Sequence, residues 1–142
     1  MSTTQECRGS CLCGAVRLAI TVNDHRVDAC HCDMCRKWGG GPLFAVQASQ
    51  GVRIEGEEDV TIYPSSDWAE RGFCRQCGTH LFYRLKAGGY WAIPAGLFDG
   101  NPPWVFDQQI FIDQKPDFYD FANATRNMTG QEVFEAFGAA PG

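Results

Sequence analysis

Eight cysteines, at positions 7, 11, 13, 30, 32, 35, 74 and 77, constrain this chain more than any other feature of its sequence. Seven of them fall into tight clusters, and none follows Cys77. A secreted disulfide scaffold is shorter, spreads its cysteines along the whole chain and carries an export signal. Here the first residues, Met-Ser-Thr-Thr-Gln-Glu, have neither a basic n-region nor an apolar h-region, so the expected location is cytoplasmic. In a reducing compartment clustered thiolates serve chiefly to bind metal. The sequons Asn123-Ala124-Thr125 and Asn127-Met128-Thr129 then read as chance matches.

The spacing of each cluster says what it can hold. In Cys11-Leu12-Cys13-Gly14 the two thiols are i and i+2, and on an extended segment they share a face. Cys74-Arg75-Gln76-Cys77-Gly78 has the two-residue separation of a metal knuckle, with a glycine that permits the turn. Together the two pairs supply the four thiolates of a closed tetrahedral zinc site. A redox C-x2-C pair would need a strand–helix junction in a βαβ pattern, and none is visible.

The third cluster is Cys30-His31-Cys32-Asp33-Met34-Cys35, three thiols within six residues. Three protein ligands and an open fourth position characterise a catalytic zinc. A fourth ligand from Cys7, His31, His80 or an aspartate would instead close the site and make it structural. An extended backbone turns His31 away from its flanking cysteines, toward a supporting position or the surface. Cys7 has no partner at ligand spacing and reads as a free thiol.

The rest of the chain is patterned for β structure. Val16, Leu18, Ile20 and Val22 alternate with Arg17, Ala19 and Thr21, the period of a half-buried strand. Similar runs are Leu43–Gln47, Val52–Glu55, Val60–Tyr63, His80–Leu85, Tyr90–Ile93 and Val105–Ile112, separated by Gly, Pro, Asn and Asp. Glu55-Gly56-Glu57-Glu58-Asp59 reads as a solvated hairpin turn between two of them. A short helix is expected from Asp33 to about Trp38, ended by Gly39-Gly40-Gly41. A second should start at Thr129 as N-cap, with Glu132 at the capping-box position and Val133, Phe134 and Phe137 on one stripe. At 142 residues the chain has room for one core, and a structural metal helps a domain of short strands. The longest apolar run, Tyr90–Phe98, contains Pro94 and is far too short to span a bilayer. A net charge of −5 argues against a nucleic-acid partner.

Three stretches carry a family resemblance: Gly9-Ser10-Cys11-Leu12-Cys13-Gly14-Ala15-Val16-Arg17, Cys30 through Lys37, and Arg71-Gly72-Phe73-Cys74-Arg75-Gln76-Cys77-Gly78-Thr79. In this order they resemble the glutathione-dependent formaldehyde-activating enzyme family, whose domain is shared with centromere protein V. Lys115-Pro116-Asp117-Phe118-Tyr119-Asp120 resembles a segment near the family's C-terminal end. The resemblance spans residues 7–125 as one zinc-binding domain and leaves 126–142 as a helical tail packed on or beside it. It implies an Mss4-like β-tent of several small curved antiparallel sheets with a short C-terminal helix. It assigns Cys11, Cys13, Cys74 and Cys77 to a structural zinc, and Cys30, Cys32 and Cys35 to a second, catalytic one.

The implied activity is carbon–sulfur chemistry of the S-hydroxymethylglutathione type, with a thiol such as glutathione and an aldehyde as partners. Arg36, Lys37 and Trp38, just beyond Cys35, are candidate contacts for a carboxylate-bearing thiol; an exposed basic turn that merely ends the helix is the other reading. The chain departs from the family's usual pattern at His80 and at Gln108-Gln109, positions not expected to touch the cysteine framework. With both zincs structural, the same sequence would be a non-enzymatic binding module. Monomer and homodimer are both open.

Overall fold

The computed structural model describes residues 5–48 and 51–137. Six strands precede the C-x2-C knuckle: β1 (Gln5–Ser10), β2 (Arg17–Val22), β3 (Arg26–Cys30), β4 (Leu43–Ala48), β5 (Arg53–Glu55) and β6 (Val60–Tyr63), with helix α1 (Asp33–Gly39) between β3 and β4. β7 (Ala69–Cys74) leads into the knuckle. β8 (His80–Leu85), β9 (Trp91–Pro94), β10 (Val105–Ile110), β11 (Arg126–Met128) and helix α2 (Gly130–Phe137) follow. The chain is mainly β with a short C-terminal helix, as its sequence predicts.

The described strands form two sheets. One has three strands in the order β1-β2-β5 and is antiparallel. The other has eight, in the order β11-β10-β3-β4-β9-β8-β7-β6. It is mixed, because β10 runs parallel to both β3 and β11. No described helix is long and apolar enough to cross a membrane.

Alternation along the strands gives the eight-stranded sheet two different faces. On one, Val27, Val46, Ile93 and Phe82 pack with Leu18, Ile20 and Val22 of the small sheet into the main core. Pairing of Asp28 with Ala45, of Gln47 with Ala92, of Ala92 with Tyr83 and of Tyr83 with Arg71 sets the row on the other face. That row includes a buried carboxylate and a buried guanidinium. Helices α1 and α2 belong to this side, where Val133 of α2 is buried in one cluster with Cys30, Cys32 and Cys35.

Four strands are missing from the expected pattern, and inward polar residues explain two of them. β3 buries Asp28, and β7 buries Arg71 beside Gly72. Gly72 lies flat under a ring: a Cβ there would sit 2.3 Å from Phe82 Cζ. β1 and β11 are edge strands rich in polar residues.

The turn expected at Glu55–Asp59 is not a hairpin. β5 pairs with β2 and β6 with β7, so this segment, with a 3-10 turn at Glu57–Asp59, crosses from one sheet to the other. Run Val105–Ile112 ends as a strand at Ile110 and turns into a 3-10 segment at Ile112–Gln114. Gly40, left-handed at φ 87°, ends α1 through its N–H to the Arg36 carbonyl. The capping box at Thr129 forms as expected: its amide donates to Glu132 Oε1 (2.9 Å) and Glu132 N–H donates back to Thr129 Oγ1 (3.2 Å). The side chain of Phe137 lies outside the described residues.

Candidate metal centres

Two knuckles of the same design bring the first four sulfurs together. After β1, Cys11 N–H donates to the Val16 carbonyl (3.0 Å) and Gly14 N–H to the Cys11 carbonyl (3.1 Å). After β7, Cys74 N–H donates to the Thr79 carbonyl (2.9 Å) and Gly78 N–H to the Cys74 carbonyl (2.8 Å). Gly14 and Gly78 both take the left-handed φ, 83° and 78°, that closes such a loop. Backbone amides turn onto the sulfurs: Val16 N–H onto Cys11 Sγ and Gln76 N–H onto Cys74 Sγ, each at 3.3 Å. The loops are tied to each other by Leu12 N–H donating to Thr79 Oγ1 (3.1 Å). Asp59, from the crossing segment, accepts from Arg75 Nη2 (2.8 Å) and Gln76 Nε2 (3.1 Å) and braces the second knuckle from outside.

The sulfurs of Cys11, Cys13, Cys74 and Cys77 lie within 4.8 Å of one another. Cys11 and Cys13 are 3.6 Å apart, and Cys13 and Cys74 are 3.9 Å apart. A tetrahedron of thiolates at the usual zinc–sulfur distance has edges of about 3.8 Å. The donor set therefore fits zinc in number, element and spacing. Its protons fit too. The Thr79 hydroxyl, then backbone amides, draw Cys77 down to about 5. On Cys13 the Ala15 amide pulls down, but burial and the neighbouring sulfurs outweigh it and carry the thiol up to about 12. Four such sulfurs ionise together only around a cation.

The second cluster stands where β3 meets α1. Cys30 is the last residue of β3, Cys32 is the N-cap of α1, and Cys35 lies one turn in. Cys35 N–H donates to Cys32 Sγ at 3.3 Å, so this sulfur serves as the helix cap. The three sulfurs lie within 4.8 Å of one another and all three residues are buried. Hydrogen bonds from Cys30 and Cys35 hold Cys32 down at about 3. Cys30 is pushed well up by its bonds to Cys32 and Cys35 and by burial. Cys35 is pulled down by Cys30, yet Cys32 and burial carry it up to about 11. Three buried sulfurs that compete in this way for protons fit a divalent ion once all are thiolates.

None of the proposed fourth ligands joins this trio among the described residues. Cys7 is buried on β1 within the main core, where burial raises its thiol. His80 stacks flat on Trp38, ring centres 3.8 Å apart at 5°. His31 points away from the sulfurs, as extended backbone requires, but toward the interior and not the surface, with 0% exposure. Its Nε2 meets Gln109 Oε1 and its Nδ1 meets the Tyr119 hydroxyl, both at 2.8 Å. Gln109 Nε2 donates onward to Thr125 Oγ1 (2.9 Å). That amide orientation makes Nε2 the protonated nitrogen and Nδ1 the acceptor from Tyr119. Both nitrogens are committed, and burial lowers the basicity of the ring.

Among the described residues neither departure from the family pattern touches a cysteine, as expected, but Gln109 and His80 each contact a residue near the trio. Gln109 fixes the residue between two of the sulfurs, and His80 backs the indole of α1. Arg36 donates through Nε to the His31 carbonyl (2.9 Å), which gives it a structural duty, while Lys37 is exposed. Trp38 faces the Arg71 guanidinium, whose carbon is 4.9 Å from the Trp38 ring centre and 5.1 Å from that of Tyr83.

Arg71 is the site residue that sequence reasoning missed. It is 2% exposed, and its two terminal nitrogens lie 3.8 Å and 3.7 Å from Cys35 Sγ. The signal was an arginine inside the stretch that leads to the C-x2-C knuckle. Read alone, it looks like an exposed strand position.

The family described as glutathione-dependent formaldehyde-activating enzyme matches residues 6–114. An uncharacterised lyase of Schizosaccharomyces pombe is 40% identical over 132 residues, covering 92% of this chain and 96% of that protein. A Halomonas elongata protein that carries the family's name is 32% identical, over 79% of this chain and 78% of its own length. A crystal structure of a Rhodobacter sphaeroides protein superposes with a TM-score of 0.58 at 25% identity, covering 68% of this chain and 91% of that one.

Proposed function

The chain belongs to the glutathione-dependent formaldehyde-activating enzyme family, and from that premise we propose that it is a zinc-dependent enzyme forming or cleaving the carbon–sulfur bond of a thiol–aldehyde adduct. Glutathione, or a thiol like it, and a small aldehyde are its partners. One observation carries the reading: Cys30, Cys32 and Cys35 converge as three sulfurs with no fourth side-chain ligand among the described residues. Cys30, Cys32 and Cys35 would hold the zinc, which would supply a Lewis acid able to lower the pKa of a thiol. Cys11, Cys13, Cys74 and Cys77 would hold a second zinc in a closed, structural site.

The chain's own residues do the remaining work. Bond formation joins the thiol sulfur to the carbonyl carbon. The C=O π pair moves to oxygen, and the proton lost by sulfur ends on that oxygen. Holding both partners side by side removes much of the entropic barrier. Arg71 sets its positive charge against Cys35 and lowers the cost of collecting thiolates in a buried place. Trp38 and Tyr83 hold the guanidinium plane. His31, fixed by Gln109 and Tyr119, pins the backbone between Cys30 and Cys32. The exposed Lys37 gives a carboxylate-bearing thiol a positive approach.

The test is exchange NMR on zinc-loaded protein with glutathione and labelled formaldehyde. The expected result is interconversion with S-hydroxymethylglutathione faster than the spontaneous rate, lost in Cys32→Ser. An exchange rate equal to the protein-free control would remove the assignment.

A further inference from the structure

Four neighbouring strands of the large sheet, β4-β3-β10-β11, carry one row of side chains across one face. Ala45 pairs with Asp28, Asp28 with Gln108, and Gln108 with Arg126. Paired residues on adjacent strands share a face, with the strands about 4.8 Å apart. The row therefore runs small, acidic, amide, basic, with the carboxylate and the guanidinium two strands apart. Asp28, Gln108 and Arg126 all line one open groove, together with Arg26 and Tyr90. Asp28 and Tyr90 also line a small cavity that reaches Cys30 and Cys35, so the groove runs up to the three-cysteine cluster. The two charges of the row differ in how they are satisfied. Asp28 is 8% exposed, and its side chain accepts from the neutral amide of Gln47. Among the described residues no cation of the protein forms an ion pair with it. A buried carboxylate served by a neutral group gains most from a cation that a ligand brings. Arg126 is exposed and oriented: its Nη2 donates to Asp107 Oδ2 (2.7 Å) and Gln108 Oε1 (3.2 Å). Among the described residues no bond uses its Nε or Nη1, which suit a second acceptor.

We propose that this groove recognises an α-amino-acid head group, with its ammonium on Asp28 and its carboxylate on Arg126. The proposal rests on the thiol–aldehyde reading above and deepens it, because it names the end of the thiol substrate that the protein holds and the two residues that select it. The distance to the sulfurs agrees. Cys30 follows Asp28 by two residues on the same face of β3, a separation of about 6.6 Å along the strand. A ligand anchored by its ammonium must therefore carry its sulfur well away from that group. Three bonds part the amine from the sulfur in free cysteine, and a γ-glutamyl link adds five. A γ-glutamyl thiol held at Asp28 thus has the reach to present its sulfur to the cluster, and cysteine does not.

The experiment is calorimetric titration of the zinc-loaded full chain with two ligands. One is S-methylglutathione, whose blocked sulfur keeps turnover and thiol ligation out of the signal. The other is its N-acetyl derivative, which lacks the ammonium and keeps both carboxylates. Wild type should bind the first about 10–100-fold more tightly, the usual worth of a charge-assisted bond. Asp28→Asn should abolish that preference by weakening the first ligand and leaving the second unchanged. Arg126→Gln should weaken both by about 2–5-fold, since an exposed ion pair contributes little. Equal affinity of wild type for the two ligands, no binding of either, or equal loss of both in Asp28→Asn would overturn the groove assignment. The comparison of the two ligands on wild type needs no variant and decides by itself if a substitution fails to fold. Neither ligand turns over, so these outcomes leave the enzyme assignment to the exchange measurement. Ammonium-dependent binding in a chain that accelerates no adduct formation would keep the groove and remove the enzyme reading.

Discussion

Arg71 points its guanidinium at Cys35: both terminal nitrogens lie within 3.8 Å of the sulfur, and the arginine is buried between Trp38 and Tyr83. No carboxylate forms an ion pair with Arg71 among the described residues. A buried cation needs a counter-charge. Three thiolates around a divalent ion would leave one negative charge, which this guanidinium would cancel.

Arg71→Met should therefore loosen metal at the three-cysteine site by about 10–100-fold, the usual effect of losing a group that supports a ligand. Arg71→Lys should fall between, since it keeps the charge but not the plane held by two rings. Chelator competition checks this. One zinc equivalent should leave early in the Met variant while the other stays.

The two clusters should differ in what they do for folding. Structural zinc sites contribute about 10–16 kcal/mol to the folded state, as much as the whole net stability of a domain. Cys74, completely buried, joins the end of β7 to the main core. Cys74→Ser should leave the chain unfolded by far-UV circular dichroism, and Cys32→Ser should keep a native spectrum without activity. Equal loss of structure in both would contradict the division of roles.

Acid should act on Asp28 in the direction opposite to an ordinary carboxylate. Burial, only partly offset by the bond from Gln47, raises Asp28 to about 6 from an ordinary value near 3.8. The folded chain thus binds the proton more tightly than the unfolded one. The stability this contributes is complete below about pH 4, declines as pH rises to about 6 and is absent above. Asp28→Asn should then gain on wild type between pH 4 and 6 and hold a constant advantage of about 2–3 kcal/mol at higher pH. Urea unfolding at a series of pH values measures the difference, and a flat difference would refute it.

Gln109 should matter through His31. Gln109→Leu leaves the His31 Nε2–H without its acceptor in a closed interior, at a cost of about 1–3 kcal/mol. Gln109→Glu keeps an acceptor and should lose less. Denaturant unfolding of the two variants compares them, and equal losses would show that Gln109 acts by packing alone.

The sequence was most legible where covalent spacing dictates geometry. Cys11 with Cys13 and Cys74 with Cys77 are set at ligand separation by their own backbone turns, and Cys30, Cys32 and Cys35 by a strand end and one helical turn. The alternating strands β2 and β8 and the capping box at Thr129 were legible for the same local reason. The strands that build the site were not. β3 and β7 bury Asp28 and Arg71, and a buried charge breaks the apolar alternation by which a strand is recognised. Distance along the chain hid the rest: Arg71 reaches Cys35 only because β7 and β3 are strands of one sheet with α1 laid over it.

For this protein, then, sequence alone determined which sulfurs stand at ligand spacing within each cluster, because that is decided over a few residues, while the tertiary structure joined the Cys11–Cys13 knuckle to the Cys74–Cys77 knuckle. Only the tertiary structure decided what surrounds them. It sent Cys7 into the main core, turned His31 toward Gln109 and Tyr119, and left the three-cysteine cluster with an arginine beside it and a cavity against it. Those outcomes depend on strand order and register, which bring together residues dozens of positions apart and which no local pattern specifies.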